Sequence, residues 1–352
     1  MYQVRVLVID DSAFMRKMIK EMLSTDHRIQ VIDTARNGEI GLKKVKKYRP
    51  DVVTLDVVMP IMDGMTTLKK IMQTSPLPVV MLSSVTGQGA NKTVEAISLG
   101  AVDFITKPSG AISLDIEKVK RELITKVLAA AEVKQEYLKP KEACNPALIQ
   151  KHSLKYTRTI IAIGTSTGGP RALQRVLTDV PDGDIPPILI VQHMPEKFTK
   201  SLADRLNMLT SITVKEATHG EILKNNTAYI APGNQHMKVR AVGTSYAIAL
   251  TNEEQRNGHR PSVNTLFESI AHLVRINKLA IVLTGMGSDG AEGVSIIKNK
   301  DPSAVIIAES ADSAIINGMP KAAINTNAVN SIIHLHQIGE FIGKLTNIPG
   351  EM

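Results

Sequence analysis

Cysteine is almost missing from this sequence: Cys144 is the single one in 352 residues. A lone thiol cannot close an internal disulfide, which points to a reducing, cytoplasmic setting. No apolar run reaches the roughly 20 residues that a membrane-spanning helix requires. The N-terminal stretch MYQVRVLVIDD also lacks the layout of a signal peptide. Aromatic residues make up only 3%, and no aromatic RNA-binding motif, zinc-finger spacing or long arginine-rich arm accompanies the formal charge of +8. The 42 lysines and arginines are scattered among 34 acids, so the charge reads as a solvated surface rather than a nucleic-acid groove. At most it helps docking to an acidic protein. What remains is a composition with 43% hydrophobic residues, which excludes wholesale disorder, and a length sufficient for two or three domains.

Residues 1 to 125 read as alternating strands and helices. Strands are expected at Arg5–Ile9, Ile29–Ala35, Val52–Asp56, Val79–Ser83 and Val102–Thr106. Helices are expected at Ser12–Leu23, with Ser12 as N-cap, then at Glu39–Lys47, Met65–Gln73, Asn91–Leu99 and Ile116–Ala130. Five strands with five helices suit a flavodoxin-like doubly wound α/β domain, in which chemistry collects at the carboxyl ends of the strands. The polar residues fall there: Asp10 and Asp11, Asp56, Ser83 and Lys107. Three converging carboxylates repel one another unless a cation joins them, and hard oxygen ligands favour Mg²⁺. A lysine beside them can pair with a transferred phosphoryl group, and a serine can hydrogen-bond it. Each residue alone is an ordinary strand-end polar group; five at the correct ends are harder to explain by chance.

Val8-Ile9-Asp10-Asp11-Ser12, Leu55-Asp56-Val57-Val58-Met59-Pro60-Ile61-Met62-Asp63-Gly64 and Thr106-Lys107-Pro108 resemble a two-component receiver domain. The resemblance covers the whole first domain. It implies that Asp56 accepts phosphate from a histidine kinase, that Asp10 and Asp11 join it in holding Mg²⁺, and that Val58 contributes only a carbonyl. Lys107 would contact the phosphoryl group, and Ser83 would be the hydroxyl that swings toward it, with Ser84 adjacent.

Residues 126–156 change character, mixing charges with Pro140, Asn145 and Pro146 without sustained periodicity, which reads as an exposed linker carrying Cys144. The second domain, 157–350, opens on the apolar run Ile160–Ile163, which ends in Gly164-Thr165-Ser166-Thr167-Gly168-Gly169-Pro170. Pro170 suits the first turn of a helix, so Ser166 sits at a strand-to-helix turn among residues without bulk. The spelling Gly164-x-Ser166-x-Gly168 fits a nucleophile elbow, and helix amides just beyond it can stabilise an oxyanion. A plain Gly-rich connection or a phosphate turn is the alternative.

Further strands are expected at Ile188–Gln192, Ile212–Glu216, Ala228–Ala231, Met237–Arg240, Tyr246–Leu250, Leu279–Leu283 and Ala304–Ala308. Helices are expected at Thr199–Leu209, at Val263–Val274 with Ser262 as cap, and from Gly290 to Asn299. These make a second doubly wound, mostly parallel unit with an antiparallel flap. Ser166, His193 and Asp289 each lie just past an apolar strand, where loops of a parallel sheet converge. They offer a hydroxyl, a base and an orienting carboxylate. Their order differs from the Ser…Asp…His of α/β-hydrolases. His236 and His259 compete for the base, and Asp289 can equally be a helix N-cap.

Ala162–Gly169, Gln192-His193-Met194-Pro195, Tyr229-Ile230-Ala231-Pro232-Gly233, Arg260-Pro261-Ser262-Val263-Asn264 and Leu283–Gly290 resemble the chemotaxis protein-glutamate methylesterase family, CheB, in which a receiver commonly precedes the catalytic domain. The resemblance implies Ser166 as nucleophile, His193 as general base and acid, and Asp289 as orienting carboxylate. Amides of Thr167 and Gly168, with Met286 in the Gly285–Asp289 loop, are the oxyanion candidates. Thr165 and Ser288 depart from the family pattern, and Thr165 is a candidate for altered substrate preference. The implied activity is demethylation of glutamyl methyl esters and deamidation of glutamines on methyl-accepting chemotaxis receptors. No metal is needed for hydrolysis. A histidine kinase is the implied phosphodonor, and the expected location is the cytoplasm of a bacterium or archaeon, at receptor arrays. The unphosphorylated receiver is expected to cover the crevice. A non-catalytic signalling adaptor is the alternative; a DNA-binding output lacks a helix-turn-helix arrangement.

Overall fold

The computed structural model describes residues 3–84, 86–107, 115–133 and 155–346. They fall into two units, 1–142 and 143–352. In the first, strands β1 (Val4–Ile9), β2 (Ile29–Ala35), β3 (Val52–Asp56), β4 (Val79–Ser83) and β5 (Asp103–Thr106) alternate with helices. These are α1 (Ala13–Ser24), α2 (Gly38–Tyr48), α3 (Gly64–Thr74), α4 (Gly87–Ser98) and α5 (Asp115–Ala131). The strands pair in parallel in the order β2-β1-β3-β4-β5. The central strands are apolar on both faces because helices cover both sides of a parallel sheet; β3 and β4 are buried throughout.

Each of the first four helices starts where a side chain caps it. Ser12, Asn37, Asp63 and Thr86 accept hydrogen bonds from Met15, Ile40, Thr66 and Gly89 N–H. The Thr86 cap starts α4 four residues before the expected Asn91, where Gly87 and Gly89 had hidden the helical pattern. Helix α5 continues through Ala131, with Val127 and Ala130 buried. Residues 126–131 are thus helical rather than linker. Residues 134–154 of the expected linker, Cys144 included, lie outside the described residues, as does Pro108.

The second unit carries β6 (Thr159–Thr165), α6 (Gly169–Thr178), β7 (Ile188–Gln192), α7 (Phe198–Asn207), β8 (Thr213–Glu216) and β9 (Thr227–Ile230). The hairpin β10 (His236–Val242) and β11 (Ser245–Thr251) follows. Then come α8 (Val263–Ala271), β12 (Asn277–Val282), α9 (Ala291–Lys300), β13 (Val305–Glu309), α10 (Gly318–Ile324), β14 (Ser331–Ile333) and α11 (Leu335–Thr346). Seven strands form one sheet in the order β14-β13-β12-β6-β7-β9-β8, every pair parallel. The hairpin β10–β11 is the antiparallel flap. The chain runs from β6 outward through β7, then returns to β12 on the other side of β6. The crevice between β6 and β12 is therefore the topological switch point, where α/β sheets bind ligands.

Helix α8 ends at Ala271, with His272 as its C-cap, rather than at Val274; Arg275, at a left-handed φ of 56°, then precedes β12. Elements α10, β14 and α11 were not expected. Helix α11 lies close against the end of α6: a side chain at Gly339 would meet Val176 O and the Asp179 backbone at 2.6 Å. Among the described residues, no helix is long and apolar enough to cross a membrane.

Candidate active site

The first unit gathers its strand-end residues as expected. Asp10, Asp11 and Asp56 each present an oxygen within 4.8 Å of the others. Lys107 Nζ lies 2.8 Å from both Asp10 Oδ2 and Asp56 Oδ2. One ammonium is thus shared by two carboxylates. Burial pushes the Asp56 carboxyl up, with Asp10 adding to the rise and Lys107 opposing it. Burial also disfavours the Lys107 charge, but the two carboxylates raise its pKa nonetheless. A compact set of hard oxygen donors with more negative charge than its lysine balances is the chemistry that suits a Mg²⁺ ion. Ser83 is at the same sheet edge, but its hydroxyl is turned toward α4. It accepts a bond from Thr93 Oγ1 at 2.7 Å and approaches Gly89 O at 3.3 Å. Contact with Asp56 would require that hydroxyl to leave Thr93. The neighbouring Ser84 is exposed, 3.2 Å from Thr86 Oγ1.

In the second unit, β6 and β7 are neighbours, so the residues that follow them come together. His193 N–H continues the strand pairing by donating to Thr165 O at 3.2 Å. Gln192 ties the two turns, donating from Nε2 to Ser166 O at 3.0 Å and to His193 O at 3.2 Å. On the other side of β6, Ser166 N–H donates to Thr284 O at 3.0 Å, linking the serine turn to the loop after β12. Gly285 must lack a side chain there, since a Cβ would stand 2.8 Å from Ser166 Cβ. Thr165 is fully buried and donates to Thr284 O at 2.8 Å. It is a brace between strands, which corrects its expected part in substrate preference.

The His193 ring points its Nε2 at Asp289 Oδ2, 2.8 Å away. Its Nδ1 is buried with no hydrogen-bond partner among the described residues, so the ring is not yet bonded to Ser166. Catalytic contacts are commonly this loose before substrate binds. Asp289 accepts three further bonds: from Ser262 Oγ at 2.9 Å, Val263 N–H at 2.7 Å and Asn264 N–H at 3.0 Å. The last two are the opening amides of α8, whose dipole favours negative charge. Burial would push the Asp289 carboxyl up, but His193 and these amides hold it at about 2. A permanently ionised carboxylate thus faces Nε2, and Nδ1 is left to take up a proton.

Asp289 does not cap α9, the alternative its sequence position allowed. Asn264 Oδ1 does so instead, accepting from Gly290 and Gly293 N–H at 2.9 and 2.8 Å. His236 is no base either: its Nε2 meets Glu254 O at 2.9 Å and its Nδ1 accepts Ser262 N–H at 3.2 Å, so both nitrogens are engaged. Of the amides near Ser166, those of Gly169 and Gly285 are taken by Ser166 O and Ile316 O at 2.8 and 3.0 Å. Gly168 sits at φ 80° as the N-cap of α6, directly before it, and Met286 directly follows Gly285. Thr167 O accepts from Thr284 Oγ1 at 2.9 Å, which orients that peptide.

A fully buried acid lies behind this loop. Glu309, at the end of β13, accepts Thr284 N–H at 2.7 Å and Ser313 Oγ at 3.0 Å. Burial pushes its carboxyl up to about 7 against those two bonds. Sequence reasoning gave no role to Gln192, Ser262 (beyond its cap), Asn264 or Glu309. Their signal, a polar residue at the end of an apolar run, is present for Gln192 and Glu309.

Residues 161–342 match the family model described as CheB methylesterase, and residues 6–117 match the response regulator receiver domain. The chain belongs to the CheB methylesterase family. A relative from Oceanobacillus iheyensis, named protein-glutamate methylesterase/protein-glutamine glutaminase, is 54% identical over 98% of this chain and 99% of its own length. One of the same name from Bacillus subtilis is 44% identical over 96% of this chain and 97% of its own. The CheB methylesterase catalytic domain of Thermotoga maritima is a solved structure that covers 53% of this chain and 98% of its own. It superposes with a TM-score of 0.52 at 36% identity. Family membership accords with the fold: a receiver followed by a parallel α/β domain.

Proposed function

We propose that this chain is a protein-glutamate methylesterase and protein-glutamine glutaminase in which Ser166 is the nucleophile, His193 the proton carrier and Asp289 its orienting anion. The observation that carries the reading is the His193–Asp289 bond at 2.8 Å, which leaves Nδ1 as the remaining ring nitrogen, on a residue whose backbone pairs with Thr165 next to Ser166. The nitrogens are used in the reverse sense from the familiar serine-protease triad, where the carboxylate holds Nδ1. Here Nε2–H donates to Asp289 and Nδ1 takes the Ser166 proton.

Ser166 Oγ attacks the glutamyl ester carbonyl as its proton moves to Nδ1. The resulting oxyanion is met by backbone amides drawn from Thr167, Gly168 and Met286. Breaking the C–O bond expels methanol, which carries away the proton from Nδ1. Water then adds to the acyl-enzyme, giving its proton to Nδ1, and the carboxylic acid leaves as Ser166 recovers that proton. An amide follows the same path with ammonia as leaving group. No step calls on a metal.

The receiver supplies the control. Asp56 would accept a phosphoryl group from a histidine kinase, with Lys107 pairing its charge and Ser83 turning from Thr93 toward it. Asp10, Asp11 and Asp56 would hold Mg²⁺, which when bound neutralises the repulsion between the carboxylates and the incoming phosphoryl group. Methylated chemoreceptors are the substrate, so the enzyme would work at receptor arrays in the cytoplasm.

The test is methanol release from methylated receptor membranes, with and without a small-molecule phosphodonor. Wild type should release methanol and be stimulated by the donor, and Ser166→Ala should fall by about a millionfold, to background. Undiminished release by Ser166→Ala would remove the serine from the mechanism. No release from wild type would favour the adaptor.

A further inference from the structure

The imidazole of His259 lies flat on that of His193, with ring centroids 3.9 Å apart and planes within 7°. Nothing in the reaction described above uses it. Its loop, however, is built with unusual firmness for a segment so polar. Arg256 and His259 exchange backbone hydrogen bonds at 3.1 and 3.0 Å across Asn257-Gly258, whose φ values are both positive, 53° and 79°. That is a two-residue turn of the primed kind, for which Asn-Gly is the favoured pair. Arg256 anchors one arm, pairing with Glu268 on α8 and with Glu292 on α9 at 2.8 Å. Arg260 anchors the other, donating to Asn234 Oδ1 at 2.6 Å and to Glu253 O at 2.8 Å. The buried His236 clasps both ends through Glu254 O and Ser262 N–H.

On the proposed function above, we infer that His259 is a positioning residue: its ring is a fixed plate that locks the rotation of His193 and aims Nδ1 at Ser166. A single hydrogen bond at Nε2 leaves an imidazole free to pivot about that contact. A second ring stacked on its face removes the pivot and covers that face against water. The plate must be uncharged, because two stacked cations would repel when His193 carries the Ser166 proton. It is uncharged near neutral pH: burial, then the nearby His193, hold His259 down at about 4, with Asp289 opposing. The same loop runs directly into Ser262 and Asn264, which hold Asp289. One rigid segment therefore sets both partners of the base.

The test compares His259→Ala and His259→Phe in the full-length enzyme by two readouts, methanol-release kinetics and the ring ¹⁵N resonances of His193. His259→Ala should lower kcat by about ten- to a hundredfold with KM changed less than about twofold, since misplacing a reacting group costs that much. His259→Phe, flat and without charge, should recover kcat to within about threefold of wild type. The His193 ¹⁵N signals should shift or broaden in the alanine variant and return in the phenylalanine variant. Retention of kcat within about twofold in His259→Ala, with sharp and unmoved His193 signals, would overturn the inference. So would a phenylalanine variant as slow as alanine, which would assign the effect to a polar atom of His259. The proposed function itself would fail differently, through an inactive wild type or an active Ser166→Ala. In that event the His193 resonances still decide whether His259 fixes the ring.

Discussion

Asp56 and Asp289 are buried to nearly the same degree, 4% and 2% exposed, and their carboxyls move in opposite directions. Burial pushes Asp56 up, whereas Asp289 is held at about 2. The difference lies in the donors. Asp289 has four hydrogen bonds to itself, from His193, Ser262, Val263 and Asn264. Asp56 shares Lys107 with Asp10, whose like charge works against it. Desolvation acts on both, and the donor set decides which protonation state wins. In the second unit a carboxylate is completed by protein alone and stays ionised. In the first it is left with charge unbalanced, as suits a site that takes up a cation and a phosphoryl group.

Replacing Asp289 breaks the comparison most severely. In Asp289→Asn an amide group faces donors that need an acceptor, and His193 can take the wrong tautomer. We expect kcat for methanol release to fall by roughly ten-thousandfold, the scale seen when a triad carboxylate is made an amide. A loss below about tenfold would mean that Nε2 needs no anion.

Glu309 sharpens the contrast as a buried carboxyl with two donors and no cation. Its acid is pushed up to about 7 from an ordinary 4.5, so in that window the folded chain binds a proton that the unfolded chain releases. Stability from this group is therefore full below about pH 4.5 and is lost as pH rises through 7, by about 3 kcal/mol. Glu309→Gln, which can accept from Thr284 and donate to Ser313, should flatten that slope. Urea unfolding of the second unit at acid and neutral pH would read it. An unchanged slope in the variant would place the titration elsewhere.

The two aspartates should also differ in the sign of their effect on stability. Asp289 has a depressed pKa, so its contribution is present above the unfolded value of about 3.9 and lost as pH falls through about 2. At neutral pH Asp289→Asn should cost about 2 kcal/mol. Asp56→Asn removes a charge that burial disfavours, while Lys107 keeps Asp10 as its partner, and should stabilise the first unit. Calorimetry of both variants tests the pair. Two shifts of the same sign would show that burial, not the donor set, governs them.

The strands of both sheets other than the three-residue β14 were legible because buried parallel strands are continuous apolar runs, and the residues just past them lie at the carboxyl edge by topology. That logic reached Asp10, Asp56, Lys107, Ser166, His193 and Asp289 without structure. It failed where contacts join distant segments. Residues 318–346 went unread: α10 and β14 are short, whereas the 12-residue α11 does carry a helical stripe, the buried Ile338, Phe341, Ile342 and Leu345, and it approaches α6 closely at Gly339. Asp289 sits one residue before Gly290, so its local pattern suggested a cap for α9. Its real partners belong to α8, more than twenty residues upstream. His259 lies in a polar stretch, and nothing local says which ring it will meet.

The smallest effect concerns Ser262, which serves both α8 and Asp289. Its Oγ accepts Thr265 N–H as the helix cap and donates to Asp289 Oδ1. Ser262→Ala removes one of four donors and the cap together, and should cost about 1 kcal/mol of stability. Three donors remain, so Asp289 should stay ionised at neutral pH with its pKa moved upward, and kcat should fall by less than about tenfold. A loss as large as that of Asp289→Asn would mean the donors act as one unit, and that the anion depends on the complete α8 turn rather than on the sum of its bonds.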